Sequence, residues 1–215
     1  MCAASAGLDE GAAAGRSFVA GVGANPVHRD ALEAFEAMVS ETNATMNLVG
    51  PSTLSQFWNR HVIDSAQLLW FAPGARIWAD LGAGAGLPGI VLAILLKETP
   101  GARVHLIESR TKRCEFLARV ADELALPVEV HNVRAETLSL AVEVVTARAC
   151  APLTRLLGYA KPYLAAGARG LFLKGRDVGA EIAEARKHWR LTCKTHPSLS
   201  DPGGAIVDIS ERSLA

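Results

Sequence analysis

No C-x-x-C pair occurs in this chain, whose cysteines, Cys2, Cys114, Cys150 and Cys193, stand far apart. That scatter argues against a cysteine-built zinc site and against a disulfide framework, so reduced thiols and no bound metal are expected. The apolar runs stop well short of the roughly 18 to 20 residues that a membrane-spanning helix needs. The amino terminus lacks the basic, apolar and cleavage-site order of a secretory leader. A cytoplasmic protein without a membrane partner follows as the expectation. There is no G-x-x-x-x-G-K-[ST] phosphate loop, no H-E-x-x-H and no G-x-S-x-G elbow, which disfavours NTP turnover and hydrolysis. The chain also lacks a charge bias, with 22 basic and 22 acidic residues. The halves differ, however: residues 1–100 carry 5 Lys and Arg against 9 Asp and Glu, and residues 101–215 carry 17 against 13. The carboxyl-terminal half is the anion-facing part.

What is present suffices for one domain, since half of the 215 residues are apolar and a fifth are charged. Residues 1–24, rich in Ala, Gly and Ser, show no apolar period and are expected to be a flexible tail. From Pro26 to about Thr42, Val27, Ala31, Ala34, Phe35 and Met38 recur at helical spacing. A loop over Asn43–Ser52 and a second helical stretch from about Thr53 to Trp70 complete a helical extension, residues 25–72, packed on a main domain, residues 73–215. In the second helix Arg60, His61 and Asp64 can share one face, either as a paired surface cluster or as a polar lip over a site.

The main domain is organised around Asp80-Leu81-Gly82-Ala83-Gly84-Ala85-Gly86-Leu87-Pro88-Gly89. An apolar run (Arg76–Leu81) precedes it and an apolar helix (Ile90–Lys97) follows, making a strand-turn-helix unit. Gly84-x-Gly86-x-x-Gly89 matches the dinucleotide fingerprint, while Asp80-x-Gly82-x-Gly84-x-Gly86 matches a turn that holds S-adenosylmethionine. The strand runs to Leu81 and the turn opens at Gly82 just after a carboxylate, so the second parse fits better. Glu108 closes the next strand, where a carboxylate can accept from ribose hydroxyls. Strands at 103–107, 128–132, 142–147 and 169–174 alternate with helices at 112–124, 153–164 and 178–189. That succession predicts an open, mostly parallel α/β sheet with helices on both faces, closed by an antiparallel hairpin of Leu191–Thr195 and Ala205–Ile209. Arg148 and Lys174 end strands at the ligand crevice, and Lys112, Arg113 and Arg134 follow others, so a basic rim suited to a phosphate backbone is expected. The end of the fourth strand lacks both an Asp/Asn-Pro-Pro-aromatic loop and a Pro-Cys nucleophile. Cys150 there reads as a small buried thiol.

With these residues in view, the chain resembles the RsmG (GidB) family of bacterial methyltransferases that modify a guanine N7 in 16S ribosomal RNA. The resemblance rests on Asn47-Leu48, Arg60-His61-Val62-Ile63-Asp64-Ser65, the glycine turn with its Gly-Leu-Pro-Gly ending, Lys112-Arg113, Arg134-Ala135-Glu136, Ala147-Arg148-Ala149 and Leu173-Lys174-Gly175. It implies a class I, Rossmann-like methyltransferase fold with S-adenosyl-L-methionine as cofactor. Cofactor contacts would fall on Gly82, Leu87, Ala135, Glu136 and Arg148, beside Asp80, Gly84, Gly86 and Glu108 from the turn and strand end. Arg60, His61, Lys112, Arg113, Arg134 and Lys174 would face RNA, and a monomer acting on 16S RNA or the small subunit is the expectation. Val49 and Gly50 depart from the Thr common in relatives after Asn47-Leu48. Guanine N7 carries a lone pair and no proton, so the resemblance implies positioning without a general base. Arg148 is expected to contact cofactor or RNA backbone, since a cation beside N7 would oppose the charge that methylation places on the ring. The target base should be unstacked or in a loop, because the A-form major groove is too narrow to read. Two rivals share the same pattern, a methyltransferase for a small molecule or protein and a nucleotide-binding regulator without catalysis.

Overall fold

The computed structural model describes residues 2–210, with the main domain built on one seven-stranded sheet in the order β3-β2-β1-β4-β5-β7-β6. The strands are β1 (Ile77–Leu81), β2 (Arg103–Glu108), β3 (Val128–Asn132), β4 (Val144–Arg148), β5 (Arg169–Lys174), β6 (Lys194–Pro197) and β7 (Ala205–Ile209). The first five pair in parallel, and β7 runs antiparallel to both β5 and β6. The expected mixed sheet with a closing hairpin is what forms, although its first hairpin strand starts at Lys194 and not at Leu191. Between β1 and β4 the chain order reverses direction across the sheet, which opens a crevice at the carboxyl ends of those strands.

The helices, in chain order, are α1 (Cys2–Gly21), α2 (Pro26–Met46), α3 (Pro51–Leu54), a π-helical turn (Trp58–Ile63), α4 (Asp64–Ala66), α5 (Leu68–Phe71), α6 (Gly89–Leu96), α7 (Thr111–Glu123), α8 (Leu153–Ala165) and α9 (Val178–Ala185). Central strands are mostly apolar on both faces, as in Val144-Val145, because helices bury both, and Asp80, His105, Glu108 and Thr146 are the buried polar residues within β1, β2 and β4. On one face Val104 and Leu106 meet α6, α7 and Phe35 of α2, and on the other Ala79, Val145 and Phe172 meet α8 and α9. α6 is apolar all round, and Ile90, Val91, Leu92, Ala93 and Ile94 have no exposed surface. A helix without a polar side must be covered on both sides. It lies on β1 and β2 and is capped from outside by α2 and α4, which is why the main domain carries a helical extension.

α2 starts where the sequence indicates. The Asn25 side chain accepts from the His28 N–H and the His28 ring accepts from the Asn25 N–H, both at 3.1 Å, a reciprocal cap ahead of Pro26. It ends at Asn47, left-handed at φ 48°, a conformation Asn tolerates, and the Asn43 side chain receives the Val49 N–H at 2.9 Å.

Two expectations need correction. Residues 1–24 are not a loose tail over the part whose side chains are described. Val19 is fully buried, Phe18 packs on Trp70 with ring centroids 4.7 Å apart, and the Arg16 guanidinium lies 5.5 Å over the Trp58 ring. Gly15 allows the approach, because a Cβ there would sit 2.8 Å from Trp58 Cβ. The apolar period exists as Ala12, Gly15, Val19 and Val22, but small residues conceal it. Met1 lies outside the described residues. The single helix expected over Thr53–Trp70 is instead a series of short turns with the π-turn at its centre. Among the described residues no helix is long and apolar enough to cross a membrane.

Candidate active site

Parallel pairing sets Asp80 beside Leu106 of β2 and Thr146 of β4, so the ends of β1, β2 and β4 lie side by side at the crevice. The glycine turn is shaped by backbone that only glycine adopts freely: Gly82, Gly84 and Gly86 have φ of 69°, 56° and 86°. Space is equally restrictive, since a Cβ on Gly82 would lie 2.5 Å from Cys150 Sγ and one on Gly86 2.5 Å from Ile90 Cγ1. The buried Asp80 carboxylate accepts the Gly89 N–H at 2.8 Å through Oδ2, while Oδ1 is buried with no hydrogen-bond partner among the described residues. Burial pushes the Asp80 pKa up to about 7, against the pull of the Gly89 N–H and of Arg148.

Glu108, buried at the end of β2, receives the Gly84 N–H at 3.0 Å and the Arg110 N–H at 2.8 Å on its two oxygens. It therefore ties the glycine turn to the start of α7 while retaining lone pairs for hydroxyl donors. Leu87 is buried in the turn, and Ala135 and Glu136 lie in a short 3₁₀ turn beyond β3.

A cleft of about 860 Å³ adjoins the turn on the β4 side. It is lined by Leu48, Val49, Thr53, Arg60, His61 and Asp64 from the helical extension, Arg148–Pro152 and Leu173–Gly175 from the sheet ends, and Ser200, Asp201 and Gly204 from the hairpin. Cys150 lines the cleft and also packs against Gly82, so the two regions are continuous. Burial and the nearby Asp80 and Glu108 raise its pKa to about 11, which leaves a protonated thiol and no nucleophile.

Arg148 is the hub. Its Nη1 lies 2.8 Å from His61 Nδ1, 3.1 Å from the Arg60 carbonyl oxygen and 3.5 Å from Asp64 Oδ2. Asp64 Oδ1 accepts from Gln67 at 3.0 Å, Ser198 at 3.2 Å and Ser200 at 2.7 Å. Arg60 pairs with Asp201 at 2.8 Å. Arg60, His61 and Asp64 thus form the lip over the site, and their side chains are held by Arg148 of β4, by the hairpin and by Thr53 and Gln67 of the extension, not by one another. Burial and Arg148 lower the His61 pKa to about 3. Its other nitrogen meets Thr53 Oγ1 at 3.1 Å, so the ring is a neutral bridge that lines the cleft with both nitrogens engaged within the protein.

The expected basic rim is only partly available. Lys174 is 8% exposed and its Nζ holds Glu181 at 2.7 Å and the Ala151 carbonyl at 2.9 Å. Its charge is spent inside the protein, which corrects the expectation that it faces RNA. Arg113 is partly covered, 3.9 Å from Glu108. Lys112 and Arg134 stand in solvent, Arg134 at 76%, and Arg110, at the start of the same helix as Lys112 and expected on the same rim, is exposed with them. Sequence reasoning missed Ser198, Ser200 and Glu181, which no local motif marks.

This strand order, with a glycine turn and carboxylates at its switch point, defines a methyltransferase of the doubly wound class, whose methyl donor is S-adenosylmethionine. Solved structures with the same fold include magnesium protoporphyrin IX methyltransferase from Synechocystis PCC 6803 with bound SAM (TM-score 0.57, 15% identity, 87% of this chain and 98% of that one). A SAM-dependent methyltransferase from Aquifex aeolicus is similar as well (TM-score 0.52, 17% identity, 76% and 95%). The family model described as GidB, rRNA small subunit methyltransferase G, matches residues 28–203, and the chain belongs to that family. Ribosomal RNA small subunit methyltransferase G of Caulobacter vibrioides (strain NA1000 / CB15N) is 57% identical over 196 residues, 91% of each chain. The protein of that name from Caulobacter sp. (strain K31) is 61% identical over 178 residues, 83% of this chain and 80% of that one.

Proposed function

We propose that this chain methylates N7 of a guanine in 16S ribosomal RNA, with the cofactor on the glycine-turn side of the crevice and the base in the adjoining cleft. The observation that carries the division is Asp80 Oδ1, a buried carboxylate oxygen at the switch point with no partner among the described residues. A cationic ammonium such as that of an amino-acid end answers it, and would restore the ionised carboxylate. Gly82, Gly84, Gly86 and Leu87 shape the surface on which the rest of the cofactor lies. Glu108 takes the ribose hydroxyls, Ala135 and Glu136 border the nucleobase, and Arg148 separates the two halves. When bound, S-adenosylmethionine supplies an electrophilic methyl group.

The cleft suits an acceptor that has no proton to lose. His61 is neutral and bonded at both nitrogens, and the Cys150 thiol stays protonated. Asp64 stands against the charge of Arg148, so a guanine gaining positive charge there meets a matched ion pair and not a bare cation. The chain's contribution is to orient the base and exclude water. Lys112 and Arg134, with Arg110 beside them, hold phosphates outside, and Arg60 stands at the cleft mouth. On this reading residues 25–72 form the lip-bearing extension and residues 73–215 the methyltransferase domain, acting as a monomer in the cytoplasm. Incubation with labelled S-adenosylmethionine and small subunits lacking the modification tests it. One label per 16S molecule, at a guanine N7, is expected. Label at another atom, or in small molecules alone, would overturn the assignment.

A further inference from the structure

β3 is the edge strand at one end of the sheet, and it leads to β4 through a 3₁₀ turn (Ala135–Thr137) with no α-helix between them. Side chains alternate across a strand. Val104, Leu106, Val128 and Val130 therefore take the face covered by α6 and α7, and His105, Glu129 and His131 share the opposite face. Register puts His105 directly against Glu129, with His131 two residues further along.

These three side chains converge. His105 Nδ1 is 3.1 Å from His131 Nε2 and 3.5 Å from Glu129 Oε2, and His131 Nε2 is 3.8 Å from Glu129 Oε1. Zinc–nitrogen and zinc–oxygen distances of about 2.0 to 2.2 Å in a tetrahedron give ligand–ligand edges of about 3.3 to 3.6 Å. The observed separations bracket that value without any backbone shift. His105 is nearly buried and held by packing, whereas Glu129, half exposed, can turn one oxygen inward. Arg103 Nη1, 3.3 Å from Glu129 Oε2, is 62% exposed and free to swing aside.

We propose that His105, Glu129 and His131 form a divalent transition-metal site of the zinc class on the β2–β3 edge, distinct from the crevice at the strand ends. Two imidazoles and a carboxylate are the donor set that suits zinc, with a fourth position left for water. The absence of cysteine pairs excludes only thiolate sites and does not bear on this one. A metal here would clip the edge strand to its neighbour, the place in a sheet most in need of a restraint. A shared proton between the two rings is the alternative, and it predicts no metal uptake.

The test is calorimetric titration of the full chain with zinc chloride near neutral pH, followed by thermal melting. One equivalent should bind and raise the melting temperature. His131→Asn should weaken zinc about 100-fold and Glu129→Gln about tenfold, since losing even a hydrogen-bond partner of a ligand costs about 10- to 100-fold. Both positions are partly solvent-facing, so at least one variant should keep its fold, checked by unchanged S-adenosylmethionine affinity. Cobalt(II) uptake without a thiolate charge-transfer band is expected as well. No zinc binding by the wild type, undiminished binding by both folded variants, or a thiolate band would each overturn the site.

Discussion

The two sides of the crevice are built in different ways. On the glycine-turn side, one continuous stretch, Asp80 to Gly89, makes the surface with its own backbone, fixed by positive φ angles and by carboxylates that bind its N–H groups. On the cleft side, the surface is made of side chains from four distant segments, joined through Arg148 and Asp64. On the proposed reading the cofactor meets the backbone-built side, and the acceptor base meets the side assembled by tertiary contacts.

Substitutions should separate the sides by size and kind of effect. Gly86→Val forces a branched side chain to φ 86° against Ile90 and Leu117 and should destabilise the protein by roughly 4 kcal/mol with loss of cofactor binding. Urea unfolding and calorimetry measure both. Asp64→Ala strips Arg148 of its counter-charge and three side chains of an acceptor, and should cost about 3 kcal/mol, below the deepest buried pairs because some solvent reaches it. Its methylation should fall further than its stability explains.

Asp80→Asn tests the carboxylate by pH. In the ligand-free protein Asp80 holds its proton up to about pH 7, against 3.8 for an unperturbed group. The folded state therefore binds more protons than the unfolded one between those values, and stability from this group declines as pH rises through that window. A cationic ligand favours the ionised form, so cofactor affinity should rise with pH up to about 7 and then level off. Asp80→Asn should flatten both profiles, bind cofactor more weakly and melt higher without ligand above pH 7. The smallest effects belong to the outer cations. Lys112→Ala and Arg134→Ala should each lower the salt slope of RNA binding by about one, with cofactor affinity unchanged.

The same contrast explains what could be read in advance. The strands, their parallel order and the glycine turn are local patterns, and the structure reproduces them to within a few residues. Arg60, His61 and Asp64 could be placed on one face, but their partners could not be named, because Arg148, Ser200 and Asp201 reach them only through the folded sheet. Lys174 looked like a surface cation for the same reason: its partner Glu181 lies on the next helix and turns the charge inward. Helix α1 escaped notice because Ala and Gly, poor in apolar signal, are the residues that permit its close packing on Trp58.

Arg60 touches the cleft and not the turn, so Arg60→Ala, measured for both cofactor Kd and kcat/KM on the small subunit, tests the division most directly. The division predicts a cofactor Kd within about twofold of wild type and a fall in kcat/KM of about tenfold or more, as expected when a charged contact worth over 1.4 kcal/mol is removed. A parallel loss of cofactor affinity, or unchanged methylation, would contradict it.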